Sequence, residues 1–286
     1  MRMTRVARPL AKVGYLGVLL TSAGFFCLPV GLRAQAVAVP APVSVPPPAA
    51  TLAAGDALEV KIQTQAALDV YLQLEKGGRQ DAELLYRIAR EYAELMPDAK
   101  TKEEKKRLGE IALDYAKRSV VADGADAKSY LSRAVCYGRL APLMDDRTEL
   151  EYSRFIKADA ETALRLDPQL DDGDYILGAW NYGMANVGPV MRELAAVVYG
   201  RLPEASNEKA VEYLQKAMAI SPQRVCHHIE LGRVYAAMGK KDLARAEIEK
   251  GLALPILERD DEEMKQHGLD TLAVLDKKPM LFLPRH

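Results

Sequence analysis

The stretch Val225–Pro255, VCHHIELGRVYAAMGKKDLARAEIEKGLALP, decides the fold. Leu231, Gly232 and Tyr235 fall on one helix, Ala244, Ile248 and Gly251 on a second, and Pro255 closes it. With Gly232 as repeat position 8, these residues take the bulky, small, aromatic, small, bulky, small and proline places of a tetratricopeptide unit. Two antiparallel helices approach closely only where small residues face each other, and bulky residues at alternate places fill the gaps toward the next unit.

Working outward, the same alternation recurs. Ala89 and Ala134 take position 8 in two earlier units, over Leu84–Val120 and Ala127–Leu166. In a third unit Leu177-Gly178 repeats Leu231-Gly232, and Ala210, Leu214, Ala217 and Pro222 supply the return helix. Gly178 and Ala210 are 32 residues apart where an ordinary repeat needs twelve. The excess holds Val190–Val198, an amphipathic run that predicts an inserted helix, followed by the breakers Gly200 and Pro203. Insertions tolerated inside a repeat emerge on one face. Asp260–Leu275 reads as a closing cap helix, and Leu58–Leu74 as one opening helix ending at Gly77-Gly78. The charged segment Lys102–Arg107 reads as the lead-in to the helix that follows. The predicted fold class is all-α, a tetratricopeptide-like α-solenoid of about four helix pairs, with an inserted helix in the third and helical caps.

The N-terminus has a separate character. Arg2, Arg5, Arg8 and Lys12 precede an uncharged run, Val13–Leu32, and then Arg33 and Ala34-Gln35-Ala36. Basic start, apolar middle and small-x-small exit make residues 1–36 a signal peptide, cleaved near Ala36. The alternative is an uncleaved membrane anchor over residues 13–32. Phe26 stands before Cys27 where a lipoprotein signal needs a small residue. Residues 37–55, rich in alanine and proline, read as a semi-rigid linker before a helical domain at 56–276 and a tail at 277–286. Removing the five cations of residues 1–36 takes the formal charge from −1 to about −6, which is no footprint for nucleic acid.

Several details resemble the regulator of microtubule dynamics protein family, a tetratricopeptide-like group of animals with bacterial relatives. They are Glu103-Glu104-Lys105-Lys106 before Ala112-Leu113-Asp114-Tyr115-Ala116-Lys117, the run Leu177-Gly178-Ala179-Trp180-Asn181-Tyr182, and the inserted helix with its exit Tyr199-Gly200-Arg201-Leu202-Pro203. The resemblance covers Leu84–Val120, Tyr130–Pro168 and Tyr175–Leu275. It implies the repeat fold. It also implies association with microtubules, and for some members an N-terminal membrane segment and organelle tethering.

Chemistry leaves little trace. No phosphate-cradling glycine loop, nucleophile elbow or zinc-protease helix is present, so no catalytic residue and no cofactor is assigned. Cys226-His227-His228 is adjacent sequence on one helix, and side chains 100° apart do not share one metal; a surface or half-buried histidine pair is the preferred reading. Asp171-Asp172-Gly173-Asp174 lacks calcium-loop spacing and reads as a helix start. Cys136 and Cys226 are small core thiols rather than a bridge. Trp180 is read as an anchor for the inserted helix, with ligand contact as the alternative.

In such units the first helices line a concave face through positions 2, 5, 9 and 12. Counting from Ala89, Ala134, Gly178 and Gly232 makes Tyr86, Arg90, Tyr175, Tyr182 and Arg233 the candidate partner-contact set, because tyrosine and arginine dominate binding hot spots. The expected function is a non-enzymatic, exported scaffold holding a protein or peptide in its concave groove. A membrane-anchored, cytoskeleton-associated tether is the alternative.

Overall fold

The computed structural model describes residues 50–276, and the predicted signal peptide, anchor and C-terminal tail lie outside them. Every regular element there is helical: α1 (Leu52–Glu59), α2 (Thr64–Lys76), α3 (Ala82–Leu95), α4 (Lys102–Ala122), α5 (Ala127–Leu140), α6 (Asp146–Leu166), α7 (Asp171–Ala185), α8 (Pro189–Tyr199), α9 (Asn207–Ile220), α10 (Val225–Ala237), α11 (Lys241–Ala253) and α12 (Asp261–Leu275). The four expected pairs are α3/α4, α5/α6, α7/α9 and α10/α11, with α8 as the insertion inside the third. Among the described residues no helix is long and apolar enough to cross a membrane.

The helix boundaries follow side-chain capping. Asp81, Thr101, Asp126, Asp145 and Ser206 each accept a backbone N–H from the first turn of the helix they precede, which satisfies donors a helix start leaves unpaired. Thr101 with Glu104 forms such a start, so α4 begins at Lys102 and the charged segment is already helical.

The beginning of the domain differs from expectation in two ways. Thr51 caps α1 by accepting the Ala54 N–H at 3.1 Å, so the helix starts inside the stretch read as linker. The single opening helix is in fact two. Ile62 adopts φ +57°, and the Gln63 N–H turns back to the Leu58 carbonyl at 3.0 Å, which ends α1 and redirects the chain into α2. A β-branched residue there is strained, because its Cβ crowds the backbone in the left-handed region. Tyr71 of α2 holds the two together: its hydroxyl donates to Asp56 at 2.6 Å, and its ring fills the space a side chain at Gly55 would need.

Small residues make the seams. Ala89, Ala112, Ala116, Ala134, Ala160, Ala163, Ala210, Ala217 and Ala244 are buried where paired helices meet. Gly178 and Gly232 mark close approaches within the third and fourth pairs. A Cβ on Gly232 would lie 2.5 Å from Ile248 Cγ1, 3.0 Å from the Ala244 carbonyl oxygen and 3.2 Å from the Ile248 nitrogen. At Gly178 the nearest obstacle is the Leu214 side chain, at 2.7 Å, with the Ala210 carbonyl oxygen farther off at 3.4 Å. Between pairs, α3 touches α5, α5 touches α7, and α7 touches α10, so the first helices form one continuous row. The cap helix α12 packs on α10 and α11 through Gly268, which sits against Ile229 and Ile248.

The inserted helix is fastened by Trp180, as the anchor reading requires. Its indole N–H donates to the Ser153 carbonyl at 3.1 Å, its ring is buried, and Tyr199 at the end of α8 packs beside it with its hydroxyl 2.5 Å from Ser153 Oγ. The opposite side of α8 carries the exposed Val190 and Val197.

The two glycine seams differ in what would have to yield. Alanine is about 1 kcal/mol better than glycine inside a helix. At Gly232 fixed backbone atoms block the new methyl group, so Gly232→Ala is expected to lose about 1–3 kcal/mol as an overpacked core does. At Gly178 a movable leucine side chain is the main obstacle, so Gly178→Ala is expected to lose less. Urea unfolding of both variants checks the order.

Candidate functional site

The row of first helices presents the candidate contact residues in two groups. Tyr182 on α7 and Arg233 on α10 lie together, the guanidinium 5.6 Å from the ring centroid, and Glu230 accepts from Arg233 Nη1 at 2.5 Å. Tyr175, earlier on α7, packs against the same core cluster as Tyr182. Burial raises the Tyr175 hydroxyl pKa well above the ordinary tyrosine value, with Glu230, Cys226 and Asp260 adding to the effect.

Tyr86 and Arg90 form the second group, on α3, and both are engaged within the chain. Arg87 Nη1 donates to the Tyr86 hydroxyl at 2.6 Å and Arg87 Nε to Asp56 at 2.8 Å, while Arg90 pairs with Glu59. Side chains of α1 therefore reach α3 and take up the charge of Arg90. Tyr86 also borders a cleft with Ala82, Glu83, Asp123, Ala125, Asp126 and Lys128, where the starts of α3 and α5 meet.

Position 5 departs from the groove count. Tyr86, Leu131 and Ile229 are buried, so in three units that place belongs to the packing rather than to an open face. A large side chain there reaches the neighbouring helix before it reaches solvent; Ile229 fills the space opposite Gly251 and Gly268.

A segment that the sequence reading did not single out crosses this row. Residues 254–260, between α11 and α12, form a strap whose landing points lie far apart in the chain. Arg259 Nε donates to the Glu94 carbonyl at 2.8 Å, Nη1 donates to Thr64 Oγ1 at 3.4 Å, and the guanidinium pairs with Asp98. Asp260 lies 3.8 Å from Arg139, which also donates to Glu94 Oε1 at 2.8 Å. Glu258, the residue before Arg259, accepts from Arg224 Nη2 at 2.7 Å, and Arg224 also reaches Asp171 at 2.7 Å and pairs with Asp172. Glu94 and Arg139 are at the C-terminal ends of α3 and α5, whereas Asp171, Asp172 and Arg224 are at the N-terminal ends of α7 and α10. Three consecutive residues, Glu258, Arg259 and Asp260, therefore join the C-terminal ends of α3 and α5 to the N-terminal end of α10.

The weak sequence signals resolve into structural roles. His227 and His228 are both buried, not surface or half-buried, because the turn between α9 and α10 folds over them. His227 Nδ1 lies 3.1 Å from the Ser221 carbonyl, and His228 bridges Glu247 at 2.9 Å and the Pro222 carbonyl at 3.0 Å. Burial and then Arg224 lower the His227 pKa to about 4. The two rings serve different partners. Cys136 and Cys226 are free and buried, with burial raising the Cys226 thiol well above its ordinary value. The acids of Asp171–Asp174 begin α7. Glu258, Asp260 and Asp261 bring carboxylate oxygens within 4.8 Å of one another, but Asp261 is taken by the Leu257 and Glu258 N–H groups and Glu258 by Arg224.

Glu91, beside Arg90, is the most perturbed acid of the row. It is 1% exposed, and burial raises its pKa to about 7, against the opposing pull of Arg90 at 3.5 Å. A carboxyl whose folded pKa exceeds its unfolded value binds more protons when folded, so its contribution to stability falls as pH rises from about 4.5 to about 7. The shift corresponds to a penalty of about 3 kcal/mol above that range. Glu91→Gln is expected to gain stability over the parent chain at pH 8 and little at pH 4.5. Urea unfolding of both chains at the two pH values checks it, and a difference independent of pH would refute it.

Comparison with known proteins agrees with this architecture. Regulator of microtubule dynamics protein 1 of Mus musculus is 26% identical over 226 residues, 78% of this chain and 73% of the mouse protein. The Bos taurus protein of that name is 26% identical over 195 residues, 68% of this chain and 62% of its own length, so under two thirds of the bovine relative is spanned. Among solved structures, a thermophilic TPR protein of Thermus thermophilus superimposes with a TM-score of 0.54 at 21% identity, covering 78% of this chain and 97% of that one, which shows the fold alone. The profile of the regulator of microtubule dynamics protein 1-3 family matches residues 51–276, from the cap of α1 to the end of α12, and the chain belongs to that family.

Proposed function

We propose that this protein is a non-enzymatic scaffold that holds a protein or peptide on the concave face of its helical repeats. The observation that carries the reading is the continuous row of α3, α5, α7 and α10, with Tyr182 and Arg233 side by side on it. Aromatic and guanidinium groups fixed on rigid helices bind with little loss of side-chain freedom. Tetratricopeptide-like architecture and family membership support the same class of function.

Residues 1–36 place the scaffold in the cell envelope in this reading, exported by a cleaved signal. The relatives' names support a second one, in which residues 13–32 remain as a membrane anchor and the repeats engage the cytoskeleton from the cytoplasmic side.

Two measurements test these proposals. A photoreactive residue placed at Tyr182 or Lys128, on the concave side, is expected to crosslink one partner in living cells. The same residue at the exposed Asp114 or Glu161, on the second helices, is expected to leave that partner uncrosslinked. Equal crosslinking from both sets would move the binding surface off the concave face. N-terminal sequencing of the native protein separates the locations: a mature start at Val37 supports export and eliminates the anchor, and an intact N-terminus does the reverse.

A further inference from the structure

The strap is held unlike the rest of the chain. Leu254 packs against the core cluster of Val225, Ile229, Ile248 and Met264, but Ile256 and Leu257 are 49% and 62% exposed, so the part beyond Leu254 gains little from burial. What fixes it is the charge triplet Glu258-Arg259-Asp260, each member met by a separate receiver: Arg224 for the first acid, Asp98 with the Glu94 carbonyl and Thr64 hydroxyl for the arginine, and Arg139 for the second acid. The guanidinium fork is matched to carbonyl, hydroxyl and carboxylate at once, a geometry lysine does not reproduce. The segment is also preshaped, because the Asp261 carboxylate accepts the N–H groups of Leu257 and Glu258 at 2.8 Å each.

Those receivers are spread over several helices and the turn after α3, and together they read a short charged turn, closed by the Asp261 N–H on the Glu258 carbonyl at 3.2 Å. We infer that residues 254–260 are an internal pseudoligand, and that the partner of the concave face presents a turn with an arginine between two acids, bound by displacing the strap. This rests on the concave face being the partner surface. An occupant held by partly exposed ion pairs yields to a competitor of the same charge pattern, whereas one buried as a hydrophobic plug does not. Tethering gives the strap a high effective concentration, so a free peptide succeeds only when the tethered copy is weakened.

The test is fluorescence anisotropy of a labelled peptide with the sequence of residues 254–260, LPILERD, titrated into the full chain. Arg259→Ala is expected to bind the peptide at least tenfold more tightly than the parent chain. Replacing the peptide's arginine by alanine, or adding Asp98→Asn to the Arg259→Ala chain, is expected to remove that gain. Equal affinity for parent and variant, or a gain that survives loss of the peptide's arginine, would overturn the inference. So would an Arg259→Ala chain that loses its helical circular dichroism, since the strap would then be a structural tie and not a displaceable occupant. A partner that crosslinks at Tyr182 while the peptide fails to bind leaves the scaffold reading standing and removes the pseudoligand; a peptide that binds without any crosslinked partner does the opposite.

Discussion

Close backbone approach between paired helices is the constraint on which this structure depends. Only 6% of the residues are aromatic, so the core cannot be built from large rings. It is built from alanine- and glycine-sized notches, each of which lets one helix ride into the surface of the other. Gly232 shows the limit: even a methyl group there would press on the backbone of α11. With each pair closed in this way, the bulky residues have one place left to go, which is the neighbouring pair. The first helices line up as a result, and the concave face is a by-product of how the seams are packed.

The strap adds a constraint that stacked repeats lack. In a simple solenoid each unit touches only its neighbours, and ends fray independently of the middle. Here Arg259 ties the segment after the fourth pair to α2, α3 and the turn at Asp98, which belong to the beginning of the domain. Opening either end therefore breaks contacts at the other. Trp180 and Tyr199 do a related task on a smaller scale: Tyr199 and the Val198 carbonyl bond α8 to Ser153 and Arg154 of α6, and Trp180 of the third pair packs beside Tyr199 and bonds the same Ser153.

The repeats were legible because their information is local. Leu231-Gly232, Leu177-Gly178 and the small residues of their return helices can be counted along the chain, and so can the twenty extra residues that hold α8. The misreadings occur where conformation is not marked by residue type. Nothing about Ile62 announces a left-handed backbone, and a glycine or asparagine there would have separated α1 from α2 at once. The charged start of α4 was hidden by its lack of apolar period, although Thr101 and Glu104 are spaced as a capping pair. Counting repeat positions grouped Tyr182 with Arg233, which the structure brings within 5.6 Å, but could not foresee that α1 would engage Arg90 or that position 5 would be buried in three units. The strap is the least legible feature, because Arg259 meets residues more than 160 positions away through side-chain hydrogen bonds and one ion pair that follow no periodic pattern.

The charges of the concave row decide what kind of recognition it can support. Arg90 stands beside Glu91 and Glu59, Arg233 beside Glu230, Arg139 beside Glu94, and Arg224 beside Asp171 and Asp172. Opposite signs are interleaved along the row, so it projects no long-range field of one sign, and a polyanion such as nucleic acid finds no stripe to follow. Steering a partner from a distance contributes little on such a surface. Discrimination comes instead from exchanging one set of close pairings for another, in which a misplaced charge leaves a buried acid or guanidinium without its counterpart. A face built this way favours a partner that matches it residue by residue over one that is merely charged.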